Sequence, residues 1–481
     1  MLFSSLPFTL GFLPVTLAFF LLLGRFDAPA HQRVKARIWL VLGASLVFYA
    51  YWHPPSLLLL VGSVLFNWSM GLLIADRKPA RKWILALTVA VDLASIGFFK
   101  YGMFVTENAA LVAGDWIRLE GILLPLGISF FTFQQIAYVV DVWRGDVEAE
   151  RNLPRFALSV TFFPHLIAGP IILYRQIGPQ FDRWSFARPT ASDLNLGFGI
   201  FLIGLIKKIG IADTLSYYVD PAFDVADGQQ AVGFIESWQS AIAYTFQLYF
   251  DFSGYSDMAI GLGLLFGIRI PDNFDNPYRS TSIIDFWQRW HMSLSSFLRN
   301  YLYIPLGGNR HGKVRRYVNL MITMLLGGLW HGASWNFVIW GGLNGVYLLI
   351  AHAWRASTGG MNLKAHPLAP WGRVAGHLLT MLAVVVVRVF FRATTLDGAW
   401  LMLKGMTDPS AGSVAEFEPF LLMAILAAYA LCLYGAEAKD LIKVRWLSLP
   451  LARPVAAVWA LLVMHHQQLF NLDAAFLYFN F

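Results

Sequence analysis

The chain has 481 residues, of which 57% are hydrophobic, 16% aromatic and only 14% charged. Soluble domains average about 25% charged residues, so this composition excludes an ordinary soluble enzyme. Lys and Arg exceed Asp and Glu by 36 to 29, a formal net charge of +7. The basic residues lie in short loops between apolar runs, a placement that orients membrane helices rather than binding nucleic acid.

Apolar runs of about 20 residues, the length that a helix needs to cross a bilayer, recur along the whole chain. The sequence therefore predicts an all-α, polytopic membrane protein with about 11 to 13 membrane helices. We expect a single integral-membrane domain over residues 1–481, because no stretch has the composition of a soluble domain.

Basic clusters predict the orientation of the first helices. The run at 7–24 is predicted to be a retained first helix, since no basic segment precedes it and no cleavage site follows it. The runs at 38–52 and 56–75 are predicted to be the next two helices. The basic residues that flank this pair are Arg25, Arg33, Lys35, Arg37, Arg77, Lys78, Arg81 and Lys82. Because cytoplasmic loops are enriched in Lys and Arg, we expect these residues in the cytoplasm and the N-terminus outside. The span at 83–99 is then predicted to lead to an outer, mainly acidic loop, and the span at 121–140 to return to Arg144, Arg151 and Arg155 in the cytoplasm.

The middle of the chain departs from a simple alternation of spans and loops. Residues 156–174 are apolar but contain two prolines, which favours a re-entrant or tilted element. A span at 195–212 is predicted to lead into an acidic loop at 213–227. The polar cluster at 249–257 is predicted to be a second loop, with a metal or substrate site and a helix cap as alternatives.

Residues 282–305 are too polar for a span but have the periodicity of an amphipathic helix. The aromatic and apolar residues that recur at spacings of three and four are Phe286, Trp287, Trp290, Leu294, Phe297, Leu298 and Tyr301. Ser282 is predicted to cap the N-terminus of this helix, and Pro305 to end it. We therefore expect an interfacial helix at the membrane surface.

His331 is the sharpest candidate for chemistry. It lies in a glycine-containing break between the apolar runs at 318–330 and 335–352. An ionisable side chain at membrane depth is costly unless it has a partner or a function. His331 is therefore either a general base or a hydrogen-bonded packing residue.

Three more polar side chains lie in apolar surroundings. His291 lies on the stripe of the amphipathic segment, where an interfacial histidine needs no chemical role. Gln134, in a predicted span, fits either a hydrogen bond between helices or a position in the wall of a tunnel. His165 lies between two prolines that loosen its backbone, which suits the wall of a cavity.

These residues lie in stretches where the sequence resembles the membrane-bound O-acyltransferase family, and within it the bacterial alginate O-acetylase-like branch. The matching stretches are 1–5 (MLFSS), 125–130 (PLGISF), 132–134 (TFQ), 163–170 (FPHLIAGP), 285–291 (DFWQRWH), 301–310 (YLYIPLGGNR), 327–335 (GGLWHGASW) and 389–393 (VFFRA). Most of them fall in a core at about residues 121–405. The C-terminal residues 406–481 carry none.

The resemblance implies that an acyl group, acetyl from a cytoplasmic thioester such as acetyl-coenzyme A, passes through a central tunnel to a hydroxyl acceptor. It implies no bound cofactor and no metal, with His331 as catalytic base and His291 as the second catalytic position. The positions expected to line the tunnel are Trp330, Gln134, His165, Trp287 and Asn344. The residues expected to meet the donor phosphates are Arg299, Arg310 and Lys313, which an ordinary basic cytoplasmic loop explains as well. Asn344 stands where related sequences often carry a second histidine, and an amide cannot shuttle a proton.

The resemblance also implies partners and a location. We expect a separate periplasmic acetyltransferase of the SGNH class, a polysaccharide synthesis and export complex, and membrane lipids as partners, with no nucleic acid, in the bacterial inner membrane. Within the family, D-alanyl transfer to teichoic acid or acylation of a lipid or protein are alternatives. A sugar or lipid transporter and a catalytically silent envelope scaffold are alternatives from other classes.

Overall fold

In the computed structural model of the protein, every regular element of the described residues is helical. The described residues are 1–27, 29–76, 79–182, 186, 189–358, 369–410, 419–435, 452–469 and 477. Arg77 and Lys78 of the predicted cytoplasmic cluster lie outside them, as does much of the C-terminal segment. The all-α prediction is confirmed for this part of the chain.

The chain divides into two compact units. The first contains Met1–Leu205, Tyr255–Asp272 and Ile442–Leu469, and the second contains Ile206–Gly254, Asn273–Leu441 and Phe470–Phe481. One membrane domain over the whole chain stays a prediction.

The α-helices are numbered here in chain order. Their bounds are α1 Leu13–Leu23, α2 Ala30–Ala50, α3 Ser56–Asp76, α4 Arg81–Ile96, α5 Gly102–Ala113, α6 Ile128–Arg144, α7 Leu153–Thr161, α8 Phe163–Leu166, α9 Tyr174–Ile177, α10 Ala191–Ile206, α11 Asp213–Asp227, α12 Phe234–Leu265, α13 Ile283–Arg289, α14 Met292–Leu298, α15 Gly312–His331, α16 Trp335–Ser357, α17 Ala369–Arg392, α18 Leu396–Thr407, α19 Pro419–Tyr434 and α20 Ala452–Leu469. Short π-helical segments join several of them, including Gly97–Tyr101 between α4 and α5, Lys207–Ala212 between α10 and α11, and Arg299–Tyr303 after α14.

Five helical segments of the described residues are long and apolar enough to cross a membrane. They are Ser56–Asp76, Arg81–Ala113, Ala191–Asp227, Trp335–Ser357 and Pro370–Arg392. Two shorter apolar helices are Pro7–Leu23 and Pro419–Tyr434. The predicted number of 11 to 13 crossings stays a prediction.

The predicted span at 121–140 begins later than its hydropathy indicates. Helix α6 starts at Ile128 because Gly127, immediately before it, has a left-handed backbone with φ +71°. A Cβ atom at Gly127 would lie 2.9 Å from the carbonyl oxygen of Leu166, so both conformation and space demand glycine. Residues 153–166 form the short helices α7 and α8, and residues 167–173 form a turn and irregular chain, which fits the predicted broken element.

The two predicted polar loops are both wrong. Residues 213–227 form α11, and residues 249–257 lie within the continuous helix α12. Each segment contributes one carboxylate to a buried ion-paired cluster: Lys208 Nζ lies 2.7 Å from Asp213 Oδ1 and 2.7 Å from Asp251 Oδ1. All three side chains are buried. Acidic residues that are paired inside the protein do not need an exposed loop.

The predicted interfacial helix is divided into α13 and α14. Ser282 caps α13 as predicted, because its Oγ accepts a hydrogen bond from Asp285 N at 3.2 Å. The division falls at Trp290 and His291: Trp290 is extended, and His291 has the left-handed values φ 44° and ψ 55°. A single helical stripe therefore misplaces His291, which is fully buried.

Helices α15 and α16 form a hairpin in which the two backbones touch. A Cβ atom at Gly328 would lie 3.0 Å from Gly341 Cα, and one at Gly341 would lie 2.5 Å from Met324 O. Small residues that allow close backbone approach are typical of helix pairs in membranes.

This contact predicts that Gly341→Ala destabilises the protein by about 1 to 3 kcal/mol, the usual cost of an overpacked interface. Gly342→Ala is the matched control, since its added Cβ atom would meet only Leu325 Cδ2 at an ordinary 3.6 Å. The measurement is the apparent free energy of unfolding in an SDS titration of the purified protein. Equal stability of the two variants would contradict the close contact.

Candidate active site

His331 is the last residue of α15, and its side chain is only 4% exposed. Three aromatic rings surround the imidazole, with ring centroids at 4.9 Å for Trp330, 4.9 Å for Trp340 and 5.1 Å for Phe391. All three meet the imidazole at steep angles of 71° to 81°. We call these three rings the aromatic cage. Such a cage holds the imidazole in one orientation and keeps bulk water away from it.

Two hydrogen bonds join α16, which carries Trp340 of the aromatic cage, to the residues that follow α17. Asn336, in the first turn of α16, donates from Nδ2 to the carbonyl oxygens of Ala393 at 2.7 Å and Thr395 at 3.0 Å. These carbonyls follow the end of α17, the helix that carries Phe391. The hydrogen bonds therefore hold the cage residues of α16 and α17 in register.

His291 is positioned by Asn273. His291 Nδ1 lies 3.1 Å from Asn273 Oδ1, which also accepts hydrogen bonds from Ser293 Oγ at 2.8 Å and Ser293 N at 3.3 Å. Because two donors already identify this atom of Asn273 as the acceptor, Nδ1 of His291 is assigned as the protonated nitrogen. The lone pair of the ring is then on Nε2.

Burial also sets the charge of His291. It lowers the pKa of the imidazole to about 3, so the ring is neutral at pH 7. Phe252 meets it edge-on at 4.7 Å, and Trp330 lies 5.9 Å away on its other flank. Trp330 therefore contacts both histidines, and the structure brings the two predicted catalytic residues into one cluster.

Two more predicted positions belong to this cluster. Trp287, on α13, lies 5.9 Å from Trp340 between ring centroids. Asn344 is buried one turn beyond Trp340 and donates from Nδ2 to its carbonyl oxygen at 2.8 Å. The side-chain amide of Asn344 therefore forms a hydrogen bond within α16, and Trp340 connects Asn344 to the histidine cluster.

Gln134 and His165 form a separate pair in the first unit. Gln134 Nε2 and His165 Nδ1 are 3.1 Å apart, and both side chains are buried. The hydrogen bond joins α6 to α8. Their contact matches the predicted hydrogen bond between helices, and a role in lining a tunnel stays a prediction.

The predicted donor-binding residues Arg299, Arg310 and Lys313 are all exposed. Arg299 begins the π-helical turn after α14, Arg310 lies in the following turn, and Lys313 lies in the first turn of α15. Phosphate binding by them stays a prediction. Within the described residues, no group of three or more His, Cys, Asp or Glu side chains could hold a metal ion.

Arg388 is a site residue that the sequence reasoning missed. Its guanidinium carbon lies 4.2 Å above the ring of Trp290, the neighbour of His291, and 5.5 Å from the ring of Phe391 in the aromatic cage. The side chain is 3% exposed. An arginine in the apolar run before Phe391 was the available signal, because ionisable residues in membrane segments are functional candidates by default.

Comparisons with known proteins find relatives over most of the chain. The sequence model of the membrane-bound O-acyltransferase family matches residues 150–379, which include both histidines. A probable alginate O-acetylase from Pseudomonas syringae pv. tomato is 42% identical over 446 residues, 91% of this chain and 81% of that protein. One from Pseudomonas aeruginosa is 44% identical over 426 residues, 87% of this chain and 77% of that protein. A peptidoglycan O-acetyltransferase from Helicobacter pylori is 40% identical over 446 residues, 87% of this chain and 82% of that protein.

Proposed function

This chain belongs to the membrane-bound O-acyltransferase family, and from that premise we propose that it moves acetyl from cytoplasmic acetyl-coenzyme A across the inner membrane for O-acetylation of a cell-surface polysaccharide. It is a multi-pass membrane acyltransferase. The observation that carries the finer proposal is the cluster of two buried histidines around Trp330. A transporter or a silent scaffold has no need of a caged imidazole, and neither reading is favoured by any relative described above.

The chemistry that this cluster supports is acyl transfer from sulphur to oxygen. An acceptor hydroxyl attacks the thioester carbonyl carbon, the new C–O bond forms, and the C–S bond breaks. His331 takes the hydroxyl proton and returns it to the thiolate that leaves, so protons balance over the cycle. A positioned general base contributes about 10² to 10⁴ in rate. His291, neutral and oriented by Asn273, offers Nε2 as a second proton acceptor.

The final acceptor is proposed to be an exopolysaccharide such as alginate, with peptidoglycan as the second candidate. The similarity to proteins described as alginate O-acetylases and as a peptidoglycan O-acetyltransferase supports this pair. The same resemblance supports a separate periplasmic acetyltransferase of the SGNH class that receives the acetyl group, and a polysaccharide synthesis and export complex around it. D-alanyl transfer and lipid or protein acylation are the alternatives within the family.

The test is deletion of the gene in its native host. We expect alkali-labile acetate to disappear from the purified exopolysaccharide or from the purified peptidoglycan, and to return when the wild-type gene is restored. Which polymer loses acetate identifies the acceptor. Unchanged acetate on both polymers would overturn the proposal, and unchanged acetate with loss of D-alanyl esters would favour the alternative within the family.

The position of Asn273 leads to a prediction about orientation. Asn273→Ala leaves His291 Nδ1 without its buried acceptor, which costs about 1 to 3 kcal/mol, and we expect acetyl transfer to fall by roughly fivefold to 150-fold as that cost enters the barrier. Asn273→Asp keeps the accepting oxygen and should retain more activity. The measurement is polymer-bound acetate normalised to membrane protein level. Equal activity of Asn273→Ala and wild type would show that this hydrogen bond does not serve the reaction.

A further inference from the structure

A cleft of about 910 Å³ lies in the first unit, between the N-terminal half of α2 and the chain that enters α7. His31, Lys35 and Trp39 follow one another at intervals of four residues, so they lie on the same face of α2 and line one wall. Arg151 and Arg155 line the facing wall. The cleft is separate from the histidine cluster, which belongs to the second unit.

The charge of the cleft favours an anion. Its lining contains three permanent cations, Lys35, Arg151 and Arg155, and one carboxylate, Asp182, a sum of +2 with His31 neutral. Asp182 is engaged by Arg155 through two hydrogen bonds of 2.9 Å and 2.8 Å. That pair is internally neutral, so Lys35 and Arg151 carry the excess charge.

Arg151 remains available to a ligand. Its contact with Asp76 is 3.5 Å long, and the two side chains are 79% and 59% exposed. An exposed ion pair of this kind contributes little and is easily exchanged. Lys35 is exposed on the opposite wall. Two exchangeable cations on opposite walls suit an anion that bridges them.

Apart from Asn152, the remaining lining is apolar and aromatic. Trp39 is 55% exposed, and its indole lines the cleft. Val34 and Ile38 of α2 and Pro154 of α7 complete that surface. A ligand of this cleft therefore combines an anionic group with an uncharged part that packs on the indole.

We propose that this cleft binds a phosphate ester, with the phosphate between Lys35 and Arg151 and the uncharged remainder of the ligand against Trp39. Guanidinium groups match phosphate oxygens in a bidentate fashion, and a lysine adds a point charge. Two sources share this chemistry: the headgroup of an anionic phospholipid, and a soluble nucleotide. Both are present at the cytoplasmic surface, where the sequence places the basic end of α2.

The experiment uses the full-length protein purified into nanodiscs. In one arm, native mass spectrometry measures phosphatidylglycerol bound from mixed phosphatidylglycerol and phosphatidylcholine discs. In the other, equilibrium dialysis measures radiolabelled ADP bound to protein in pure phosphatidylcholine discs. The cleft variant is Lys35→Gln with Arg151→Gln, and both positions are exposed, so the fold is spared.

The control is Arg25→Gln with Lys82→Gln, which removes the same charge from exposed residues outside the cleft. We expect at least about tenfold weaker binding of one probe to the cleft variant and unchanged binding to the control, because hydrogen bonds to charged groups are the strong ones. Loss of phosphatidylglycerol binding identifies a lipid headgroup, loss of ADP binding identifies a soluble ester, and loss of both identifies the phosphate itself. Binding of neither probe to the wild type, or equal losses in the cleft variant and the control, would overturn the proposal.

Discussion

His331→Gln is expected to abolish acetylation while the protein stays in the membrane at its normal level. Glutamine can fill the space and form hydrogen bonds, but it cannot accept a proton at neutral pH. Loss of a general base lowers the rate by about 10² to 10⁴. The measurement is alkali-labile acetate on the purified polymer from cells that express the variant in place of the wild type, with an immunoblot of the membranes.

His352→Ala is the matched control for that experiment. His352 lies near the end of α16, where its Nδ1 contacts Arg316 at 2.9 Å, far along the helix from the aromatic cage. We expect acetate at close to the wild-type level. Full acetylation by His331→Gln would remove His331 from the mechanism, whereas loss of acetate in both variants would point to a general defect of the protein.

The second large effect is expected at Lys208. Lys208→Met leaves the buried carboxylates of Asp213 and Asp251 without their common cation, and removal of one partner of a buried ion pair costs about 3 to 5 kcal/mol. We expect that loss in the apparent free energy of unfolding measured by SDS titration. The exposed Lys404, in the same unit, provides the control Lys404→Met, which should change stability little.

A combined variant separates two effects: the loss of the ion pairs of Lys208, and the cost of leaving buried carboxylates without a cation. Adding Asp213→Asn and Asp251→Asn to Lys208→Met removes every charge of the cluster, and buried ion pairs replaced by uncharged groups are often close to neutral in stability. Most of the lost stability should therefore return. If the single change Lys208→Met were already neutral, the three groups would not be an ion-paired cluster in the folded protein.

The features that the sequence predicted are those that depend on local signals. Hydropathy indicates the helices, and Ser282 marks the start of α13 because its side chain forms the capping hydrogen bond. The glycine-containing break indicates that His331 lies at the end of a helix. Each of these signals acts over a few residues. The resemblance then singles out His331 and His291, whose shared neighbour Trp330 the structure reveals.

The features that the sequence did not predict depend on partners far along the chain. Asp251 looked like a loop residue because its partner Lys208 lies 43 positions earlier, 251 minus 208, and only the fold brings them together. In the same way, Asn273 belongs to the site through its hydrogen bond with His291, and Arg388 through its contact with the ring of Trp290. The division between α13 and α14 was missed because the apolar spacing of three and four residues continues in the sequence across the break, although Trp290 is extended and His291 left-handed in the structure.

Helices that touch backbone to backbone, as α15 and α16 do at Gly328 and Gly341, cannot slide past each other without a collision of their turns. α15 carries His331 and α16 carries Trp340, so both residues belong to one stiff helical hairpin. A force along the axis of either helix moves the imidazole of His331 and the indole of Trp340 together, so the distance between the two rings stays the same. A bilayer can thin or thicken, and its helices can tilt, and a stiff hairpin would keep His331, the proposed base, at a constant distance from Trp340 during such deformations.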